Sequence, residues 1–373
     1  MIRLLRGRWA LLAWLSVVAC TSGEQPPAVI DTLPSGQITV TNHAPSGWAD
    51  TNGWKIVKVS ERTFKFGELG AMERPNSPAL FADGGVVVVN QRPVFISRFS
   101  PTLEPLGQFS REGEGPGEFR GPELFVARDS IYVVDNQRSV LAAFDRNGIL
   151  GRETLLPCCV NDMPVVDTAG RFAIGGPFTN PRTAIRWWSL DGSRFVDSVT
   201  LPPGPEPIVI APCSFQLPYQ AERMAAAGPN GLTWWGVSDA DRFVLTRRGS
   251  DTILVTTSDR PRVPVTDANL AYIFDDTTFF AKQCGAALTT RRGDVPKLRP
   301  AFSDLHVDSQ GTLWVQRPKS TFDVYAPDGR WLGVVANPIS GNENWYWRGD
   351  RIASVETRDD GAFVLRVYRV ERR

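Results

Sequence analysis

Glu123, Asn161, Asp162, Asp304, Asn342 and Glu343 stand at or near the starts of separate apolar runs. Oxygens converging from distant segments suit Ca2+, a hard cation that takes six to eight such ligands. Glu123, Asp162 and Asp304 are the candidate metal ligands; the plainer reading is a set of solvated carboxylates. Histidine chemistry is scarce, because the chain has 2 His, His43 and His306, and three-His zinc ligation cannot be assembled from them. Gly-x-Ser-x-Gly, the P-loop and His-Glu-x-x-His are absent from the sequence. Six polar loops each carry an arginine, namely Arg92, Arg138, Arg182, Arg242, Arg317 and Arg358, and Lys319 adds a further cation. Guanidinium forks match carboxylates and other anions, so these seven are candidate ligand-binding residues. Alternatively each Arg braces its own loop, with Asp135, Asp239, Asp241 and Asp359 as available partners.

The leader does different chemistry. Arg3, Arg6 and Arg8 precede an uncharged apolar run from Trp9 to Ala19, the n-region and h-region of an export signal. That run is too short to span a bilayer. Val17-Val18-Ala19-Cys20 resembles the bacterial lipobox, which implies that Cys20 becomes an acylated N-terminus after residues 1–19 are removed. Several acyl chains make a stable anchor at about 0.8 kcal/mol per buried CH2. Thr21 after the Cys points to the outer membrane by analogy with known lipoproteins. Residues 20–50, rich in Ser, Thr, Gly and Pro, read as the lipidated Cys and a flexible tether. An exported chain can form disulfides. Cys158, Cys159, Cys213 and Cys284 allow three pairings. Adjacent Cys158 and Cys159 are expected to bridge separately to Cys213 and Cys284, since a vicinal disulfide strains its peptide; a Cys-ligated metal is the alternative.

A repeat positions these groups. Asn90-Gln91-Arg92-Pro93-Val94 recurs as Asn136-Gln137-Arg138-Ser139-Val140, 46 residues on. Ser130 to Gly148, Gly231 to Gly249 and Gly311 to Gly329 are each 18 residues apart. Thr312–Val315 and Phe322–Tyr325 alternate like strands, and Asp328-Gly329 is a hairpin turn signal. The spacing predicts four-stranded antiparallel units at about 77–110, 123–156, 163–201, 223–257, 302–336 and 343–371. The last unit lacks a strand that residues 54–59 can supply from the other end of the chain. Such closure removes the exposed sheet edge. The expected fold is all-β, a six-bladed β-propeller over residues 51–373, with a partly helical insertion at 258–301 capped by Thr266. Alternating strand direction puts the Arg loops and the blade-to-blade crossings on one face, with the six oxygen-bearing residues at the channel mouth.

Gly113-Glu-Gly-Pro116-Gly117-Glu118-Phe119, with Pro122 beyond it, resembles the inter-blade signature of NHL-repeat proteins. Asp308-Ser-Gln-Gly311-Thr-Leu-Trp314-Val315 fits the same pattern, while Gly228-Pro-Asn-Gly231 departs from it. The resemblance covers about residues 54–373 and implies a fold that tolerates many functions. Some six-bladed propellers hydrolyse lactones or phosphoesters at a channel metal. The alternative function is therefore a metal-dependent hydrolase of the lactonase or gluconolactonase kind.

Composition sets the outer limits. With 41 basic against 40 acidic residues among 373, the chain has no surplus cation for nucleic acid, and 42% hydrophobic residues exclude disorder. The primary expectation is a lipid-anchored, monomeric, non-catalytic binding or scaffold module of the bacterial envelope. Its ligand is an envelope protein, a glycan or an anionic small molecule.

Overall fold

The computed structural model describes residues 26–48, 53–65, 67–68, 74–156, 165–166, 171–174, 184–206, 208–210, 215–247, 251–275, 282, 284–318, 320–339 and 344–372. Six four-stranded antiparallel units surround one axis. They are blade I (residues 75–109), II (122–155), III (165–200), IV (223–258), V (304–336) and VI (344–371 with the strand Lys55–Phe64). The predicted closure is present: Lys55–Phe64 pairs antiparallel with Phe363–Glu371 as the outer strand of blade VI.

The inner strands of a blade are covered on both sides by its neighbours. Runs such as Val86-Val-Val-Val89 and Ile131-Tyr-Val-Val134 are therefore buried throughout rather than alternating. Six apolar clusters among the described residues fill the six interfaces between successive blades. Phe125 and Phe172 stack across blades II and III at 5.5 Å, and Phe64 of blade VI meets Phe99 of blade I at 5.3 Å. Each fully buried aromatic of this kind contributes about 1.5–3 kcal/mol.

The repeat seen in the sequence has a structural counterpart. In blades I to V the pairing slips by one residue near the end of the third strand, at Phe99, Phe144, Trp188, Thr246 and Tyr325. A bulge there sharpens the local twist before the turn to the outer strand. Gly148, Gly192 and Gly329 supply the left-handed position of that turn, at φ 83°, 68° and 85°. Asp308 accounts for its own motif by accepting the backbone N–H of Gln310 and Thr312 and the Trp314 indole N–H.

Within the stretch read as a tether, residues 26–48 are folded onto the propeller. Residues 26–48 form a hairpin of β1 (Ala28–Thr32) and β2 (Ile38–Asn42), and β2 pairs parallel with the outer strand of blade IV. Asn42 locks it: its amide donates to Thr256 Oγ1, Thr257 O and Gly329 O, while its Oδ1 accepts Trp331 N–H. The strap then crosses to blade V, where Trp48 Nε1 donates to Val334 O over Gly333. Any side chain at Gly333 would collide with the Trp48 ring. The sequence signal was obscured because a short hairpin on an outer edge needs few apolar residues.

Candidate functional site

One face carries the loops between second and third strands together with the blade-to-blade crossings. The crossing 259–303 contains α1 (Asp267–Phe274) and α2 (Ala286–Thr290). Thr266 begins α1 as expected, its N–H bonded to Asn269 Oδ1 at 3.0 Å. The preceding crossing holds a short hairpin, with Val209–Ile210 paired to Phe215–Gln216. Ile210, Leu217, Ile273, Phe274, Cys284 and Leu288 form a separate apolar core between these two crossings. Arg262 ties the layer down by donating to Arg299 O and Asp239 O.

The arginines divide into two groups. Arg138 is a brace: it reaches Gly115 O and Glu118 O and approaches Glu153 at 3.9 Å. The Gly113–Phe119 segment is thus a strapped crossing, with Arg111–Glu112 and Glu118–Phe119 paired in parallel. Arg317 is also a brace, buried against Asp323, Asp241 and Ala301 O. Arg92, Arg242 and Arg358 stay exposed on the face. Arg182 and Lys319 lie outside the described residues. Asn90 and Asp135 do equivalent work in blades I and II. Asn90 accepts the N–H of Arg74, and Asp135 accepts those of Arg120, Gln137 and Arg138. The structural equivalence is thus Asn90 with Asp135, one residue off the 46-residue sequence match.

Along the axis, innermost strands contribute polar and aromatic groups. Ser77 of blade I donates to the Glu123 carboxyl of blade II, joining their innermost strands. Burial raises the Glu123 pKa above the usual carboxylate range, against the opposing effect of the Ser77 hydrogen bond. Tyr346 reaches from blade VI to both the I–II and II–III clusters, and burial pushes its hydroxyl up to about 12. On the far side His306 lies 4.4 Å from the Trp345 ring and stacks with Trp347 at 5.9 Å. Its Nε2 stands 3.3 Å from Asp304 Oδ2, and the Asp304 carboxylate is half-exposed. Arg348, at the opposite end of the same strand, donates to Leu80 O, and burial lowers its pKa.

Of the proposed oxygen ligands, two lie among the described residues. Glu123 and Asp304 sit on blades II and V, across the ring from each other, and Asp162 is outside the described residues, as are Asn161, Asn342 and Glu343. Among the described residues no group of three His, Cys, Asp or Glu could hold a metal ion. Cys20, Cys158, Cys159 and Cys213 are likewise outside them, and Cys284 is buried in the insertion core. Sequence reasoning missed Ser77, Trp345, Tyr346 and Trp347. The alternation Asn344-Trp-Tyr-Trp-Arg348 was the available signal for the last three, since it sends two rings one way and Tyr346 the other. Two clefts lie away from these groups. One of about 310 Å3 is lined by Glu68, Arg98 and Gln108, and one of about 510 Å3 by Pro202, Pro203 and Trp235.

Replacing Glu123 by glutamine tests the electrostatics. A raised carboxyl pKa means that folded-state stability is complete below about pH 4.3 and is lost as pH rises through the folded pKa. Glutamine stays neutral, so the melting temperature of Glu123→Gln relative to the native chain should rise between pH 5 and pH 8. A constant or shrinking difference would show the anion to be stabilised instead, as by a bound cation.

The fold and this face define a six-bladed β-propeller with an added layer on one face. The fold resembles that of a Bacteroides fragilis protein described as exported, at 9% identity over 90% of this chain and 99% of that one, TM-score 0.50. It also resembles a member of the DUF4221 family from Bacteroides vulgatus, at 11% identity over 87% and 100%, TM-score 0.50. Virginiamycin B lyase from Staphylococcus aureus is a weaker likeness, at 9% identity over 82% and 98%, TM-score 0.41. At such identities the likeness concerns the fold alone. No family model matches the sequence, and no curated protein matches it.

Proposed function

We propose that the protein is an exported, lipid-anchored binding module that engages its ligand at the channel face. The observation that carries this reading is the second layer on that face: a hairpin and two helices with their own core, held over a rigid scaffold. Loops fixed in this way are where binding specificity is built. On the innermost strands, the half-exposed Asp304 carboxylate, His306 and the Trp345 ring offer a polar and aromatic surface. The ligand is an envelope protein segment, a glycan or an anionic small molecule, met by the exposed Arg92, Arg242 and Arg358. NHL-repeat kinship rests on the Gly113–Phe119 and Asp308–Val315 motifs, and the acyl anchor rests on the Val17–Cys20 motif. The outer membrane is the proposed location, and disulfides among Cys158, Cys159, Cys213 and Cys284 are proposed staples of the added layer.

The metal-dependent hydrolase remains the second reading because Glu123 is a carboxyl held largely out of water. Protein beginning at Glu24 separates the two by metal analysis and by melts in EDTA and in Ca2+. A cation at 100 times its dissociation constant adds about 2.7 kcal/mol. The binding module is expected to carry no stoichiometric cation and to melt unchanged in EDTA. One cation per chain, lost in Glu123→Gln or Asp304→Asn, overturns that reading in favour of the hydrolase. Non-reducing peptide maps of the same sample with four free thiols would remove the disulfide staples.

A further inference from the structure

We infer that the added layer on the channel face docks on the membrane that holds the acyl chains, an inference that rests on the anchor proposed above. Its basis is where the described chain begins. β2 runs parallel to the outer strand of blade IV, with Asn42 in register with Ser258, and β1 runs back so that Ala28 pairs with Asn42. Pro27 O accepts the N–H groups of His43 and Ala44, and His43 Nδ1 lies 3.5 Å from Asp259. The chain therefore joins the propeller at the rim of the channel face, beside the start of the 259–303 crossing.

Six residue steps separate Cys20 from Pro26, and a fully extended chain covers about 3.3–3.6 Å per step, or roughly 20 Å in all. A blade strand of seven residues, such as Thr252–Ser258, is also six steps and spans about 20 Å. The leash is consumed along one blade edge before the opposite face could turn to the bilayer. The strap keeps this geometry, since Asn42 and Trp48 bind it to blades IV and V.

The layer that this places nearest the bilayer is chemically suited to it. Val209 and Leu298 are turned outward, 54% and 41% exposed, although the residues around them feed the layer's core. Lys282, Arg292 and Lys297 are exposed on the same layer. Asp267 and Asp294 offset part of that charge, at 4.0 Å from Arg292 and 2.6 Å from Arg291. Cations near an anionic surface are attracted to it, and the apolar pair enters the headgroup boundary.

Hydrogen exchange tests the docking on the full lipidated chain, in vesicles of phosphatidylethanolamine and phosphatidylglycerol against detergent micelles. Segments 208–217 and 286–299 should exchange several-fold more slowly on vesicles, and the opposite-face turns 128–130 and 146–149 should not change. Arg292→Glu with Lys297→Glu should abolish the slowing while the acyl chains keep the protein on the vesicle. An acylated, vesicle-bound chain without protection of the layer, or protected at the 128–130 and 146–149 turns, overturns the docking and leaves the anchor standing. A chain carrying no acyl mass on Cys20 overturns the anchor and the docking together.

Discussion

Arg317→Ala is expected to cost about 3–5 kcal/mol of stability, the range for removing one partner of a buried ion pair. Its guanidinium, 7% exposed, donates from Nε at 2.9 Å and from a terminal nitrogen at 2.6 Å to Asp323 Oδ2. The other terminal nitrogen meets Asp241 of the neighbouring blade and Ala301 O. Without it, among the described residues Asp323 keeps Arg260 at 3.2 Å and Asp241 loses its direct ion partner. Burial already raises the Asp241 pKa against the pull of Arg317, so the unpaired anion is costly. Urea unfolding measures the loss, with exposed Arg92→Ala as a control expected within about 0.5 kcal/mol of the native chain. A loss below about 1 kcal/mol for Arg317→Ala would return this residue to the ligand-binding set.

The second large effect belongs to the strap. Asn42 is 1% exposed, and its amide group joins three segments of chain. Asn42→Ala leaves the Trp331 N–H and the Gly329 carbonyl without that partner, although Thr256 Oγ1 still donates to Gly329 O at 2.7 Å. An orphaned buried group costs about 1–3 kcal/mol, and the lost amide also unties β2 from blade V. Limited proteolysis should then cut within residues 26–48 well before the blades are attacked. Equal resistance of the variant and the native chain would mean that the β2 pairing, Trp48 and Val40, buried among Leu254 and Trp331, hold the strap without Asn42.

Much of the architecture was legible because it repeats. Three equal turn offsets, the Asp328-Gly329 hairpin and the orphan strand at residues 54–59 pointed to six blades and to their closure, as found. The strap was not legible, because its pairing partner lies more than 200 residues away in blade IV and its polar residues resemble a linker's. Arg138 lies in a loop as expected, whereas Arg317 ends the strand Leu313–Arg317, and brace and ligand require the same residue type. Asp323, on a neighbouring strand of the same blade, supplies the ion pair that favours the brace for Arg317.

By itself the amino-acid sequence determined local order: strands, turns and blade spacing follow from residue periodicity and glycine turns over a few neighbouring positions. The tertiary structure decided which groups meet across blades: Ser77 with Glu123, His306 with Trp345, Arg317 with Asp241 and Asn42 with Trp331. Those encounters depend on ring closure and on the depth of burial between sheets, both properties of the whole chain. Burial also set their chemistry, by removing water from Glu123 and by obliging Arg317 to be neutralised from two blades.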